Sequence, residues 1–176
     1  MRWLLLGALT VLAACSAQRV GEQEERTTGA SAAATGNMLW LAAERPGLSR
    51  VGKDYLFAGP MSVNRSGSSE RMLYLALGTT IDRRITGVDE PILDTVVFNV
   101  DGSLMTFDLI PWEWRGDLKP FDPAIEARSS YAAPVTGSQL RALSRAANLT
   151  AWVTDSEGRS PQYELVGGEA TALLRP

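Results

Sequence analysis

The dipeptide Asp101-Gly102 separates two runs rich in β-formers, Leu93 to Val100 and Leu104 to Ile110. A two-residue hairpin loop needs positive φ at both central positions, and Asp-Gly meets that need at low steric cost. The two runs must then pair antiparallel, which commits the chain to a sheet grown from local pairings. Further strand candidates precede them: Asp54 to Ala58, Met61 to Asn64 and Arg71 to Leu77. Turn signals at Gly59-Pro60 and Ser66-Gly67 punctuate these runs, a pattern of antiparallel sheets rather than βαβ units. In Met72-Leu-Tyr-Leu-Ala-Leu77 the alternation is weak, which predicts a strand buried on both faces. Met38 to Glu44 is a short apolar block open to either a strand or one or two helical turns.

The last third changes period. Thr136-Gly-Ser-Gln139 matches a capping box, and Leu140, Leu143, Ala146 and Ala147 follow as an apolar stripe at helical spacing, with Asn148 as the stop. A strand over Leu149 to Val153, a turn over Asp155 to Gly158, a strand over Gln162 to Val166 and a closing helix over Glu169 to Leu174 complete the pattern. The expected fold is mainly β, either a β-sandwich or a curved antiparallel sheet, with one helix of the C-terminal region packed on it. This helix–strand–turn–strand–short-helix ending resembles small periplasmic proteins of the invasion-associated locus B type. The resemblance is one of topology and implies no activity.

The N-terminus carries an address. Met1-Arg2 precedes an apolar run from Trp3 to Ala14, broken only by Gly7 and Thr10, and Cys15 follows. One positive charge, about a dozen apolar residues and small residues before a cut form a signal-peptide plan, too short for a bilayer span of ~20 apolar residues. Leu12-Ala13-Ala14-Cys15 resembles the lipobox of bacterial lipoproteins, which implies cleavage after Ala14 and lipidation of Cys15, the only cysteine of the chain. An ordinary secretory leader with an incidental cysteine, or an uncleaved anchor, is the plainer alternative. By resemblance to lipoprotein sorting, Ser16 rather than Asp after the cysteine implies an outer-membrane location facing the periplasm.

Residues 16–36 are small, polar and free of aromatic side chains, including Gly21-Glu-Gln-Glu-Glu-Arg26 and Ala30-Ser-Ala-Ala-Ala-Thr-Gly36. Such a stretch has little apolar surface to offset the entropy of ordering, so it reads as a flexible tether. The expected organisation is a signal peptide over 1–14, a lipidated cysteine and tether over 15–36, and one globular domain over 37–176.

Composition then limits the chemistry. The chain has 176 residues and no His, which removes the commonest general base and metal ligand. A net charge of −3 without a basic run gives no footprint for nucleic acid. No phosphate loop, Gly-x-Ser-x-Gly elbow or Ser-x-x-Lys pair is present, so no catalytic residue, metal ligand or cofactor is assigned. Asn99-Val-Asp101-Gly102 shares part of a calcium-loop pattern but lacks its later ligands, and the hairpin accounts for it.

Two clusters remain as candidate binding residues. Asp82 and Arg83, in Thr79-Thr-Ile-Asp-Arg-Arg84, place a carboxylate beside guanidinium groups; a strand-end turn with a partly exposed ion pair explains the same residues. Trp112 and Trp114, in Pro111-Trp-Glu-Trp-Arg115, share one face of an extended segment and would stack on sugars or serve as a hydrophobic lid. The acids Asp82, Asp89, Glu90, Asp94 and Glu113 are the candidates for a two-carboxylate glycan hydrolase, whose groups must stand about 5 to 9.5 Å apart. The expected role is a non-enzymatic envelope lipoprotein, held to the membrane through Cys15 and engaging protein partners. A glycan-binding module is the alternative, and a carboxylate-dependent glycan hydrolase comes third.

Overall fold

The computed structural model describes residues 18–19, 23–25, 30–35, 37–82, 92–112, 120–155 and 161–166. The expected signal peptide over 1–14, Cys15, Arg83, Asp89, Glu90, Glu113, Trp114 and the expected 169–174 helix lie outside the described residues. Within them the fold is mainly β with a single short helix. In chain order the strands are β1 (Gln18–Arg19), β2 (Gln23–Glu25), β3 (Ala30–Ala34), β4 (Leu39–Glu44), β5 (Lys53–Arg65), β6 (Ser68–Thr79), β7 (Leu93–Val100), β8 (Ser103–Asp108), β9 (Ile110–Pro111), β10 (Phe121–Asp122) and β11 (Ala127–Pro134). The helix α1 (Gly137–Arg145), β12 (Leu149–Asp155) and β13 (Gln162–Leu165) follow.

The main sheet runs β8-β7-β12-β13-β4-β5-β6-β11-β9, with every pair antiparallel. Its two end strands, β8 and β9, are halves of one run interrupted only at Leu109, so the sheet comes round on itself as a barrel. Because β9 is only two residues long, a side chain helps at this seam: the Tyr131 hydroxyl of β11 accepts the Leu93 N–H of β7 at 3.2 Å. Closure leaves few bare edges, which is how an antiparallel fold avoids edge-to-edge pairing.

Period-two alternation separates two apolar layers. Leu56 and Ala58 of β5, Leu73, Leu75 and Leu77 of β6, and Val96 and Phe98 of β7 belong to the inner core, together with Leu143 of α1. Phe57, Met61 and Val63 of β5 and Met72, Tyr74 and Ala76 of β6 form an outer layer, covered by Ala32 of β3, Met38 and Phe121. Both faces of β6 are therefore buried from Met72 to Leu77, which explains its weak alternation.

Two hairpins use the same device. Ser66 and Gly67 have φ of 52° and 85°, Asp101 and Gly102 of 50° and 90°, so both loops have two left-handed residues. In each, an Asn side chain takes up the glycine N–H: Asn64 Oδ1 accepts from Gly67 at 3.1 Å and Asn99 Oδ1 from Gly102 at 2.8 Å. Helix α1 begins with the expected capping box, the Thr136 hydroxyl accepting from the Gln139 N–H at 3.2 Å and Gln139 Oε1 accepting from the Thr136 N–H at 2.8 Å. The helix ends at Arg145, with Ala147 and Asn148 exposed beyond it.

Two expectations require correction. Gly59-Pro60 is no turn: β5 runs unbroken through it, joining the two predicted strands. In an antiparallel strand a residue's N–H and C=O face the same edge. The Pro60 carbonyl accepts from Thr35 N–H at 2.9 Å, so its missing N–H falls between the end of β3 pairing at Ala34↔Met61 and the start of β4 pairing at Leu39↔Ala58. Gly59 is required by contact, since a Cβ there would lie 2.6 and 2.8 Å from the Phe121 ring. Met38 to Glu44 resolves as a strand over Leu39–Glu44.

The second correction concerns the tether. β3 pairs with β5, β2 with β3, and β1 with β10, so the sheet begins before Asn37. Ala30 and Ala32 are buried, and small side chains are what allow this polar stretch to lie flat on the outer layer. Composition alone missed this because the apolar surface that orders the segment belongs to β5, not to the segment itself.

Candidate functional site

The run that closes the barrel also delivers Trp112 to its surface. After Pro111, whose partner is Tyr131, the Trp112 N–H donates to the Ser130 carbonyl at 2.8 Å, and the Ser130 hydroxyl donates back to the Trp112 carbonyl at 3.3 Å. The indole is half-buried and meets Tyr74 edge-on, with ring centroids 6.5 Å apart and planes at 87°. Tyr74 in turn packs on Phe121 at 5.7 Å. Trp112 thus seals the outer layer on one side and forms the wall of a cleft of about 510 Å³ on the other.

Tyr74, Arg128, Ser129 and Ser130 line this cleft with Trp112, and the largely exposed Ile92 forms part of its rim. Burial holds the Tyr74 phenol above its ordinary value of 10.0, with a Ser130 hydrogen bond working against the shift. The Ser129 hydroxyl oxygen is buried with no hydrogen-bond partner among the described residues. Aromatic edges, hydroxyls and one guanidinium are groups that bind neutral polyols as readily as peptide.

The Asp82 cluster lies elsewhere. Ile81 is buried against Gly52, while Asp82 is exposed and is not among the residues lining the Trp112 cleft. The preceding threonines act locally: Thr80 Oγ1 accepts the Lys53 N–H at 2.9 Å and Thr79 Oγ1 the Ile81 N–H at 3.0 Å. Asp94 is exposed on β7, its carbonyl accepting from Leu109 at 2.9 Å. Among the described residues no three His, Cys, Asp or Glu side chains gather to hold a metal.

A second cleft, of about 620 Å³, lies between α1 and the outer part of the β5–β6 hairpin. Arg71 and Arg141 line it with Ser62, Ser69 and Ser144, and sequence reading singled out none of these. The available signal was a change of character along one face of β6, where the row Leu77, Leu75, Leu73 continues as Arg71 and Ser69. No family model, characterised protein or solved structure matches the chain.

Proposed function

We propose that the chain is a lipid-anchored, non-enzymatic binding protein of the bacterial cell envelope, held at the outer membrane through Cys15 and facing the periplasm. The order Leu12-Ala13-Ala14-Cys15 after a short apolar segment carries this reading. The barrel interior is filled by side chains such as Leu39, Leu41, Leu56, Leu73 and Phe98, each fully buried, so in this reading partners meet the outside of the barrel. The pairing of Gln18 with Asp122 adds an orientation. Three residues span at most ~10 Å, so an anchor at Cys15 would hold the β10 face against the bilayer rather than far from it.

The partners in this reading are envelope proteins that meet the barrel at its surface. A glycan is the second reading, favoured by the cleft that Trp112 and Tyr74 share with the unpartnered Ser129 hydroxyl. The anchor is tested by labelled palmitate. The wild-type chain is expected to take up label and sediment with outer membranes, whereas Cys15→Ser takes up none. A wild-type chain recovered unlabelled from the soluble periplasm overturns the assignment. A photo-crosslinker at Ile92 that yields discrete protein adducts supports protein partners, and retention on purified peptidoglycan that is lost in Trp112→Ala supports the glycan.

A further inference from the structure

The cleft between α1 and the β5–β6 hairpin is electropositive in a chain whose net charge is −3. Arg71 and Arg141 both line it, and none of its lining residues is acidic. Neither guanidinium has a carboxylate in ion-pair range among the described residues, where the ion pairs are Arg45 with Asp54 and Lys53 with Glu44. Two like charges facing one cavity repel each other, and only an anion reverses that sign.

Beside the apolar Pro60 and Leu140 the lining carries hydroxyls; that of Ser144 donates to the Arg141 carbonyl at 3.0 Å, which leaves one O–H of the Ser62–Ser69 pair to donate into the cleft. Ser62 is the direct partner of Arg71 across β5 and β6, and its hydroxyl meets that of Ser69 at 2.9 Å. Ser69 is two residues from Arg71 on the same face, so three polar side chains stand together above the apolar row that ends at Leu73. From the other side come Gly137, the first residue of α1, and Arg141, whose Nη1 lies 3.5 Å from where a Gly137 Cβ would sit. The guanidinium is thus beside the positive end of the helix, where the first N–H groups have no intrahelical acceptor.

We propose that this cleft binds a phosphate group carried on a small polar body or a lipid headgroup. A carboxylate has two oxygens and is matched by one guanidinium fork. A phosphate offers three or four, enough for both arginines and the one free O–H of the Ser62–Ser69 pair at once. The volume of about 620 Å³ exceeds what a bare ion needs and falls in the range of small-molecule sites. The inference is independent of the lipid anchor and of the Trp112 cleft, because it uses none of their residues.

The test is calorimetric titration of the full chain, purified in detergent, with inorganic phosphate, glycerol phosphate and a short-chain phosphatidylglycerol. Saturable binding is expected, weakened about tenfold or more in the Arg71→Gln, Arg141→Gln double variant and weakened less when both are Lys, which keeps the charge but not the fork. Arg128→Gln, which removes as much charge at the other cleft as Arg71→Gln or Arg141→Gln removes singly at this one, is expected to bind as wild type. Tighter binding of phosphatidylglycerol than of glycerol phosphate identifies a lipid headgroup, and equal binding a soluble phosphate. No saturable binding of any probe, or equal losses in Arg128→Gln and either single variant, overturns the proposal. The arginines are exposed, so an unchanged unfolding midpoint is expected to show that the variants fold.

Discussion

Asp101 and Asn148 hold each other twice. The Asp101 carboxylate accepts the Asn148 N–H at 2.7 Å, and the Asp101 N–H donates to the Asn148 carbonyl at 3.0 Å. The same carboxylate takes the Ala147 N–H at 3.0 Å. The β7–β8 hairpin therefore fastens the exit of α1, 46 residues away along the chain, just where β12 begins. A residue chosen for its turn also serves as a clamp between helix and barrel.

Asp101→Asn separates these roles, because Asn tolerates a left-handed backbone but supplies a weaker acceptor. A loss of about 1 kcal/mol is expected in urea unfolding. Asp101→Ala should cost a further ~1–2 kcal/mol, since its φ of 50° then carries an unsupported Cβ penalty. No loss in either substitution would show that the clamp contributes nothing.

Gly59 and Phe121 form the second contact to test. A Cβ on Gly59 would stand 2.6 Å from the ring edge, with Met38 also only 3.1 Å away. Gly59→Ala is expected to destabilise by about 1–3 kcal/mol through overpacking. In a double-mutant cycle with Phe121→Leu the two losses should fall well short of additive, because the smaller side chain vacates the clash.

Trp112 is half-buried, so its removal should cost less than that of a core ring. Trp112→Ala is expected to lower stability by about 1–3 kcal/mol, read from the unfolding midpoint. A value near zero would mean that the indole seals nothing and that the cleft is its only role.

Tyr74 predicts an alkaline limit. Burial raises its folded-state value above 10.0, so the folded chain binds the phenolic proton more tightly than the unfolded chain does. That contribution is fully present below pH 10 and is lost as pH rises through the folded-state value. The unfolding midpoint should fall above pH 10, and Tyr74→Phe should flatten that fall even though it removes the Ser130 hydrogen bond.

The origin of each feature follows from the range of the forces involved. Turn chemistry is local: positive φ at Ser66, Gly67, Asp101 and Gly102, and the Thr136 capping box, depend on neighbours a few residues away. Those signals were legible in the residues themselves, as was the double burial of β6. The order Leu12-Ala13-Ala14-Cys15, on which the proposed lipid anchor rests, is equally local and needs no fold.

What the tertiary structure alone decided is every relationship between distant segments. Gly59-Pro60 carries a turn signature, yet it lies within a strand because Phe121 requires bare backbone there and the proline's lost N–H falls at a gap between partners. Residues 30–34 have a linker's composition, yet they form a strand because β5 offers an edge and an apolar face to cover. Closure through the bent 103–111 run, the meeting of Trp112 with Tyr74, and the convergence of Arg71 with Arg141 join residues far apart in the chain. Local propensity sets the conformation of a few residues at a time, whereas pairing register and burial are cooperative properties of the whole sheet, and they determine which side chains share a cleft.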